Sequence, residues 1–346
     1  MQIFKEKRNN NAYVGLVDRV PSYVIHKPGQ GTEWASLEKT DRCAGCLHCI
    51  NPRCMNYDAE RVSSEIQEFV PDNSTIVCPV NAMSWDKGKC MPVIDHEKCI
   101  MCGLCARECP AGAIYYKDYR WHISESEEVI LVEATEANTK QHVEMMEKYL
   151  NAYKTGYMVK ESNDVLNKIY EKVQKLGGNT PNLFARNMLV SLGNKCAIGR
   201  VGDVYTRVDA LLKTHSGDIA VTEVEFGRDT LDAARGILDD IAVANCRYGL
   251  SKKSILSLVV CLQLPNERQG YWQVIKDVKK VEGLSIDIVT LGCLLVLLWN
   301  LQKFDISENS FYADYDNMTI RRNAEYILDG EVNISNRYLG ILEPEK

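Results

Sequence analysis

Cys99-Ile-Met-Cys102-Gly-Leu-Cys105-Ala-Arg-Glu-Cys109-Pro110 sets four cysteines at C-x2-C-x2-C-x3-C spacing and closes on a proline. Upstream, Cys43-Ala-Gly-Cys46-Leu-His-Cys49 repeats the opening triple run, and its own Cys-Pro arrives only at Cys78-Pro79. The tails repeat too: Cys-Pro-Val-Asn-Ala-Met over 78–83 and Cys-Pro-Ala-Gly-Ala-Ile over 109–114. Two triple runs with matching tails are very improbable by chance. A disulfide framework belongs to short secreted chains, whereas this one has 346 residues and opens on no signal-peptide pattern. Zinc ribbons use paired C-x2-C units, not triple runs with a distant Cys-Pro.

Both runs resemble those of bacterial two-cluster 4Fe–4S ferredoxins, over roughly residues 40–118. The resemblance implies a ferredoxin-like module holding two 4Fe–4S clusters. Three closely spaced thiolates wrap one face of each cubane, and the fourth reaches across to the other cluster. One cluster is thereby assigned Cys43, Cys46, Cys49 and Cys109. The other takes Cys78, Cys99, Cys102 and Cys105. The chain departs from the family between Cys49 and Cys78, where a three-residue gap is replaced by a polar excursion over 50–77. Cys54 lies inside it and competes with Cys78 as a ligand. Cys78 is favoured because its proline and Ala-Met tail repeat the second half. Cys90 has no slot in the pattern, and His48 reads as a cluster neighbour. Cys196, Cys246, Cys261 and Cys293 stand in apolar surroundings and read as buried thiols of a reducing cytoplasm.

The length suggests two domains with a small appendage. Composition is ordinarily globular, 45% hydrophobic and 25% charged. Acidic and basic residues balance within 1–122, so the net charge of −6 belongs to the remainder. No basic block advertises nucleic acid, although nuclease sites are themselves acidic. The apolar run Leu291 to Leu301 is too short to span a bilayer and reads as a buried strand-to-helix passage. A soluble, cytoplasmic protein with no membrane partner is expected. The division is a ferredoxin domain over 1–122, a linker strand and helix over 123–160, a second domain over 161–303, and a covering extension over 304–346.

Trp121 to Glu133 reads as a strand or two, and Thr135 to Lys154 as a polar helix. Ser162 to Leu176 carries Val165, Leu166, Ile169, Tyr170 and Val173 on one helical face. Thr180-Pro181 opens a second helix ending near Gly193. Strands are expected over Cys196 to Val201, Val204 to Leu212 and Ile219 to Phe226, with a turn at Gly217. A long helix begins at Asp229 or Thr230 and places Leu231, Ala234, Leu238 and Ile241 at helical spacing. Ser254 to Leu262 is a continuously apolar strand of the doubly covered kind. Glu267 to Val281 is a helix, and Leu284 to Leu291 the last core strand. The fold class is α+β and α/β: a two-cluster module followed by a mixed sheet flanked by helices.

Three carboxylates fall together in this sheet. Glu223 and Glu225 stand two apart on one strand and share a face, and a hairpin at Gly217 brings Asp209 beside them. Converging carboxylates repel unless a hard cation sits among them, and oxygen donors suit Mg²⁺ or Mn²⁺. The ordinary alternative is the solvated face of an edge hairpin, with Asp209 paired to Arg207 or Arg200. Against it, unpaired carboxylates in mid-sheet are costly.

Helix, three-strand meander, helix, strand, with Asp209 and Glu223-Val224-Glu225, resembles the PD-(D/E)XK nuclease superfamily, which includes many restriction endonucleases. The resemblance covers roughly residues 160–300. It implies that Asp209 and Glu223 ligand Mg²⁺ or Mn²⁺ and that Asp209, Glu223 and Glu225 are catalytic. The usual proline before the aspartate is Val208, and the usual lysine is Glu225; a migrated base such as Arg235 is the alternative for the lysine. Asp239-Asp240 reads as a solvated or capping pair. The implied partner is nucleic acid, DNA before RNA, and a homodimer is compatible with it. The expectation is a metal-dependent endonuclease, of restriction or phage defence, with an iron–sulfur module that is structural or redox-gating. The alternatives are an electron-transfer ferredoxin whose second domain docks a redox partner, and a non-catalytic adaptor. No glycine-rich dinucleotide fingerprint and no phosphate loop is present.

Overall fold

In the first half, β1 (Tyr23–His26) and β2 (Trp34–Lys39) pair antiparallel. A hairpin follows, β3 (Met83–Asp86) with β4 (Met91–Ile94), its turn held by Asp86 Oδ1 accepting from the N–H groups of Gly88 at 2.8 Å and Lys89 at 3.1 Å. After the single-turn helix α1 (Leu104–Arg107) comes a second hairpin, β5 (Ile114–Lys117) with β6 (Arg120–Ile123). Then β7 (Val129–Glu133) pairs with β2, making a three-stranded sheet in the order β1-β2-β7. Part of the expected linker therefore belongs to the N-terminal strands. The computed structural model describes residues 23–26, 34–39, 43, 45–51, 69–109, 113–117, 119–123, 129–133, 162–203, 207–227, 230–251, 254–300, 302–307, 319–330, 332, 334 and 340–346. The helix expected over Thr135 to Lys154, and Cys54, lie outside them.

The second half opens with α2 (Ser162–Val173), which buries Val165, Leu166, Ile169, Tyr170 and Val173. Pro181 stands in the first turn of α3 (Thr180–Ser191), where its missing N–H is no loss. The strands β8 (Lys195–Ile198), β9 (Ala210–Lys213) and β10 (Ile219–Glu225) form an antiparallel meander. Gly217, at φ 98°, supplies the left-handed residue of the last turn. Helix α4 (Ala233–Cys246) then crosses to β11 (Ile255–Cys261), and α5 (Gly270–Glu282) to β12 (Ile286–Thr290). Parallel neighbours need such crossovers, and β10, β11 and β12 are parallel. The sheet order is β12-β11-β10-β9-β8.

Several boundaries differ from the sequence reading. The strand expected over 204–212 narrows to Ala210–Lys213, with 204–206 outside the described residues. At Asp209 a side-chain oxygen accepts the Val224 N–H at 3.0 Å, at the end of the ladder. Most of the run from Leu291 is a helix, α6 (Leu291–Trp299), buried all round; Thr290 caps it by accepting the Cys293 N–H. The extension contains a helix of its own, α7 (Thr319–Leu328), with Ile320, Ala324 and Leu328 buried. Cys196, Cys261 and Cys293 are buried, whereas Cys246, the last residue of α4, is exposed. No helix among the described residues is long and apolar enough to cross a membrane.

The halves share one hydrophobic core. Residues 69–77 run along β8: the Asp72 N–H donates to Ile198 O at 2.8 Å, and the Arg200 N–H to Val70 O at 3.0 Å. From α3, Arg186 Nη1 donates to Ser74 O, and Asn187 Nδ2 to Ile76 O and Val77 O. Arg107 Nε donates to Ser191 O at 3.2 Å. The Trp299 indole N–H donates to Cys102 O at 2.9 Å, a fully buried bond between the halves. Trp299→Phe keeps a ring and strands that carbonyl, which should cost about 1–3 kcal/mol. A thermal melt of anaerobic holoprotein should fall by several degrees; an unchanged melt would show that the bond holds nothing.

Candidate functional site

The two cysteine runs adopt one backbone pattern. The second residue after the first cysteine is left-handed in both, Gly45 at φ 66° and Met101 at φ 62°. So is the residue after the second cysteine, Leu47 at φ 64° and Gly103 at φ 86°. Each run uses glycine at one position and forces a side chain into the other, at about 1–2 kcal/mol. The tails match as well. Ala82 N–H donates to Cys78 Sγ at 3.2 Å, and Ala113 N–H to Cys109 Sγ at 3.3 Å, four residues on in each case.

Cys43, Cys46, Cys49 and Cys109 are close enough to repel one another as thiolates, and so are Cys78, Cys99, Cys102 and Cys105. Each run thus keeps its own three thiols and gains the Cys-Pro thiol of the other half. Burial, reinforced by the neighbouring thiols, pushes Cys49 up to about 12 and carries Cys102 and Cys105 well above the ordinary thiol. Thiols crowded in this way ionise only onto a cationic centre, and soft donors with N–H groups aimed at sulfur fit an iron–sulfur cluster. Among the described residues no three His, Cys, Asp or Glu side chains could hold a single metal ion. A cubane spreads its thiolates over separate irons, so the thiol sets do not need that geometry. Cys90 is exposed in the β3–β4 turn, where its thiol donates to Lys87 O at 3.5 Å and its carbonyl lies beside Gly45 of the first run. His48 is half-buried, with Nδ1 at 3.2 Å from Cys46 O.

The loop of the second run is clamped. The Trp121 indole N–H donates to Met101 O at 3.0 Å, beside the Trp299 bond to Cys102 O. A Cβ on Gly103 would stand 2.8 Å from the Trp121 ring. Lys172 Nζ, from α2, donates to Cys99 O at 2.6 Å.

Carboxylates gather at the end of the β9–β10 pair. Ala210 lies opposite Thr222, so the register carried one residue further sets Asp209 opposite Glu223. Asp209 Oδ1 accepts from Asn182 Nδ2 of α3 at 2.9 Å, and Oδ2 from the Val224 N–H. Helix α4 lies directly on Glu223, since a Cβ on Gly236 would stand 2.7 Å from its Oε1. One turn on, Asp240 is 3% exposed, hydrogen-bonds Glu223 and has Oδ2 buried with no partner. It is no solvated pair with Asp239; Asp239 is exposed and faces Arg207 at 3.5 Å. Glu225 shares the face of Glu223, but its Oε1 accepts the Gly227 N–H in the turn ending the strand. Arg235 is exposed against Asp232 at 3.7 Å, so α4 offers the site a third carboxylate and not a migrated base.

Burial is the main cause that raises Asp209, Glu223 and Asp240 above their ordinary values; repulsion from neighbouring carboxylates adds to it at Glu223 and Asp240, whereas the Val224 and Asn182 bonds draw Asp209 back down. Both acids of the Glu223–Asp240 contact are pushed toward the protonated form by burial. As placed, these carboxylates do not form a single-ion site by themselves; an all-oxygen donor set would suit a hard divalent cation only once the side chains were drawn together. Asp240 falls on the stripe Ala233, Ile237, Asp240, Ala244 that α4 buries, not on the Leu231, Ala234, Leu238, Ile241 spacing read from the sequence, and Asn182 carried no sequence signal either.

Comparison with known proteins bears on the cysteine module. The 4Fe-4S binding domain family matches residues 92–115, which hold Cys99, Cys102, Cys105 and Cys109. The chain is similar to an uncharacterized ferredoxin of Methanocaldococcus jannaschii, 34% identical over 86 residues, 22% of this chain and 54% of the relative. It is also similar to the uncharacterized ferredoxin-like protein YdhY of Escherichia coli K12, 29% identical over 65 residues, 19% of this chain and 22% of the relative. The chain thus spans about half the length, or less, of these relatives. No solved structure matches. The chain carries a 4Fe–4S ferredoxin domain and a mixed sheet that these comparisons do not reach.

The buried acids make a stability prediction. Raised carboxylates bind protons in the folded chain that the unfolded chain has released, so their contribution falls as pH rises from the ordinary carboxylate range. With chelator present, Asp240→Asn should raise the melting temperature at pH 8 relative to the unsubstituted protein and shift it little at pH 4. An equal shift at both would show that burial does not raise these acids.

Proposed function

We propose that the chain is a divalent-metal-dependent phosphodiester hydrolase of nucleic acid, DNA before RNA, working in the cytoplasm and built on an iron–sulfur module with two 4Fe–4S clusters. The observation that carries the reading is the facing pair Asp209 and Glu223, closed from α4 by buried Asp240. Three carboxylates placed together in a low dielectric cost stability that a cation would restore. The element order fits the resemblance to PD-(D/E)XK nucleases: helix, three-strand meander, helix, strand. Asp209 and Glu223 would hold Mg²⁺ or Mn²⁺, which lowers the pKa of water and polarises a phosphate oxygen. Asn182 orients Asp209, and Asp240 holds Glu223. Glu225 reaches the site only by giving up the Gly227 N–H, so its part in water activation is the smaller one.

The test is incubation of anaerobically purified protein with plasmid, single-stranded DNA and RNA, each with Mg²⁺ or Mn²⁺. Asp209→Ala and Glu223→Ala should abolish cleavage, and Glu225→Ala should reduce it by about 10²-fold. Cleavage that survives Asp209→Ala would point to a contaminant.

A second reading, an electron-transfer protein, has its own support. The matched relatives are named as ferredoxins or ferredoxin-like, and N–H groups point at the Cys78 and Cys109 thiol sulfurs. Both readings require full ligand sets, hence about eight irons per chain. Cys109→Ala and Cys105→Ala should each leave about four, and Cys54→Ala should leave all of them. Loss of iron with Cys54→Ala would move the fourth ligand into the insertion. No cleavage of any nucleic acid, with reversible cluster reduction, would make electron transfer the better account.

A further inference from the structure

A cavity of about 520 Å³ opens beside the second cysteine run, with Cys99 and Met101 in its wall. Its size lies within the range of about 300–1,000 Å³ common to small-molecule and cofactor sites. Helix α2 and the turn after it contribute Lys168, Lys172 and Lys175, and the β5–β6 hairpin contributes Tyr119 and Arg120. Against these four cations the lining holds one carboxylate, Glu171. Lys168 sits over the Tyr119 ring at 4.0 Å, and the Lys172 bond to Cys99 O ties the cationic wall to the cysteine loop. Burial first, and then the charges of Arg120 and His122, hold His96 below its ordinary value, with Asp95 opposing them.

We infer that this cavity is an electron-entry site for an anionic flavin nucleotide docked against the cluster that Cys99 ligates. Four cations around one carboxylate call for a ligand with phosphate charge. A place against a cluster ligand is useful to a ligand that carries electrons. Nicotinamide nucleotides deliver a hydride, which a one-electron cluster does not accept directly, whereas flavins pass electrons singly. A bound anionic flavin hydroquinone would give one electron to a cluster held by Cys99, taking that cluster from the 2+ to the 1+ state and leaving the flavin as the neutral semiquinone with no proton moved. The inference rests on Cys99 ligating a cluster, which iron content reports separately, and is independent of the carboxylate site.

The experiment titrates anaerobic, iron-loaded full-length protein with flavin mononucleotide and follows flavin fluorescence. Riboflavin serves as the uncharged control, and inorganic phosphate as competitor. Flavin mononucleotide should bind at least about tenfold tighter than riboflavin, as a charged hydrogen bond or two would give, and phosphate should compete. The double variant K168E/K175E should weaken flavin mononucleotide by about tenfold or more with iron content unchanged. In stopped flow, reduced flavin mononucleotide should bleach the cluster absorbance faster with the unsubstituted protein than with the variant. Equal affinity for flavin mononucleotide and riboflavin, or no quenching by either, would overturn the inference without recourse to a variant. A DNA oligonucleotide that needs the same lysines, with flavin mononucleotide unbound, would overturn it in favour of the nucleic-acid backbone.

Discussion

Gly103 has no room for a side chain, and much of the arrangement around the cysteine module follows from that. The Trp121 ring closes on one side and the Trp299 indole on the other, each giving its N–H to a carbonyl of the same loop. One tryptophan comes from the module's own hairpin, the other from the buried helix at the far end of the second half. The loop between Cys99 and Cys105 is therefore folded fully only when both halves are present. Metal binding and folding are coupled wherever ligands come from separate elements. Here the coupling extends to the sheet, because α6 carries Trp299 and stands directly on β12 through the Thr290 cap.

The insertion after Cys49 returns along the same logic. Residues 69–77 leave it and run beside β8, where backbone bonds from Asp72 and Arg200 occupy an otherwise open edge. Arg186 and Asn187 bind the same stretch from below. Cys78 then enters the thiol set at the end of a segment held by the second half. A long excursion is tolerated because its closing end is anchored.

The carboxylate group shows what a sheet can impose. Asp209 and Glu223 meet because two strands in antiparallel register bring opposite residues onto one face. Gly236 lets α4 approach closely enough for Asp240 to meet Glu223. The cost of the shared burial is electrostatic, and a cation is the simplest group that removes it. The basic cavity at the second cysteine run is the electrostatic opposite, with cations gathered around a cysteine loop. The net charge of −6 averages over both and describes neither.

Spacing alone determined the cysteine reading, because thiols a few residues apart on one loop must converge whatever surrounds them. Periodicity likewise determined the elements of the sheet, since β11 reads as a doubly covered strand and α2 as a one-faced helix. What depended on tertiary packing stayed out of reach. The strand at Asp209 was read too long, because its side chain takes the bond that continued pairing needs. Asp240 was read as solvated, because charge on a helix is usually outside, and only the docking of α4 through Gly236 puts it inside. The cavity beside Cys99 draws its walls from residues 96–101, 119–121 and 168–175, segments that no local pattern relates. Register, helix docking and the meeting of distant loops are decided by how faces bury against one another, and that is settled only in three dimensions.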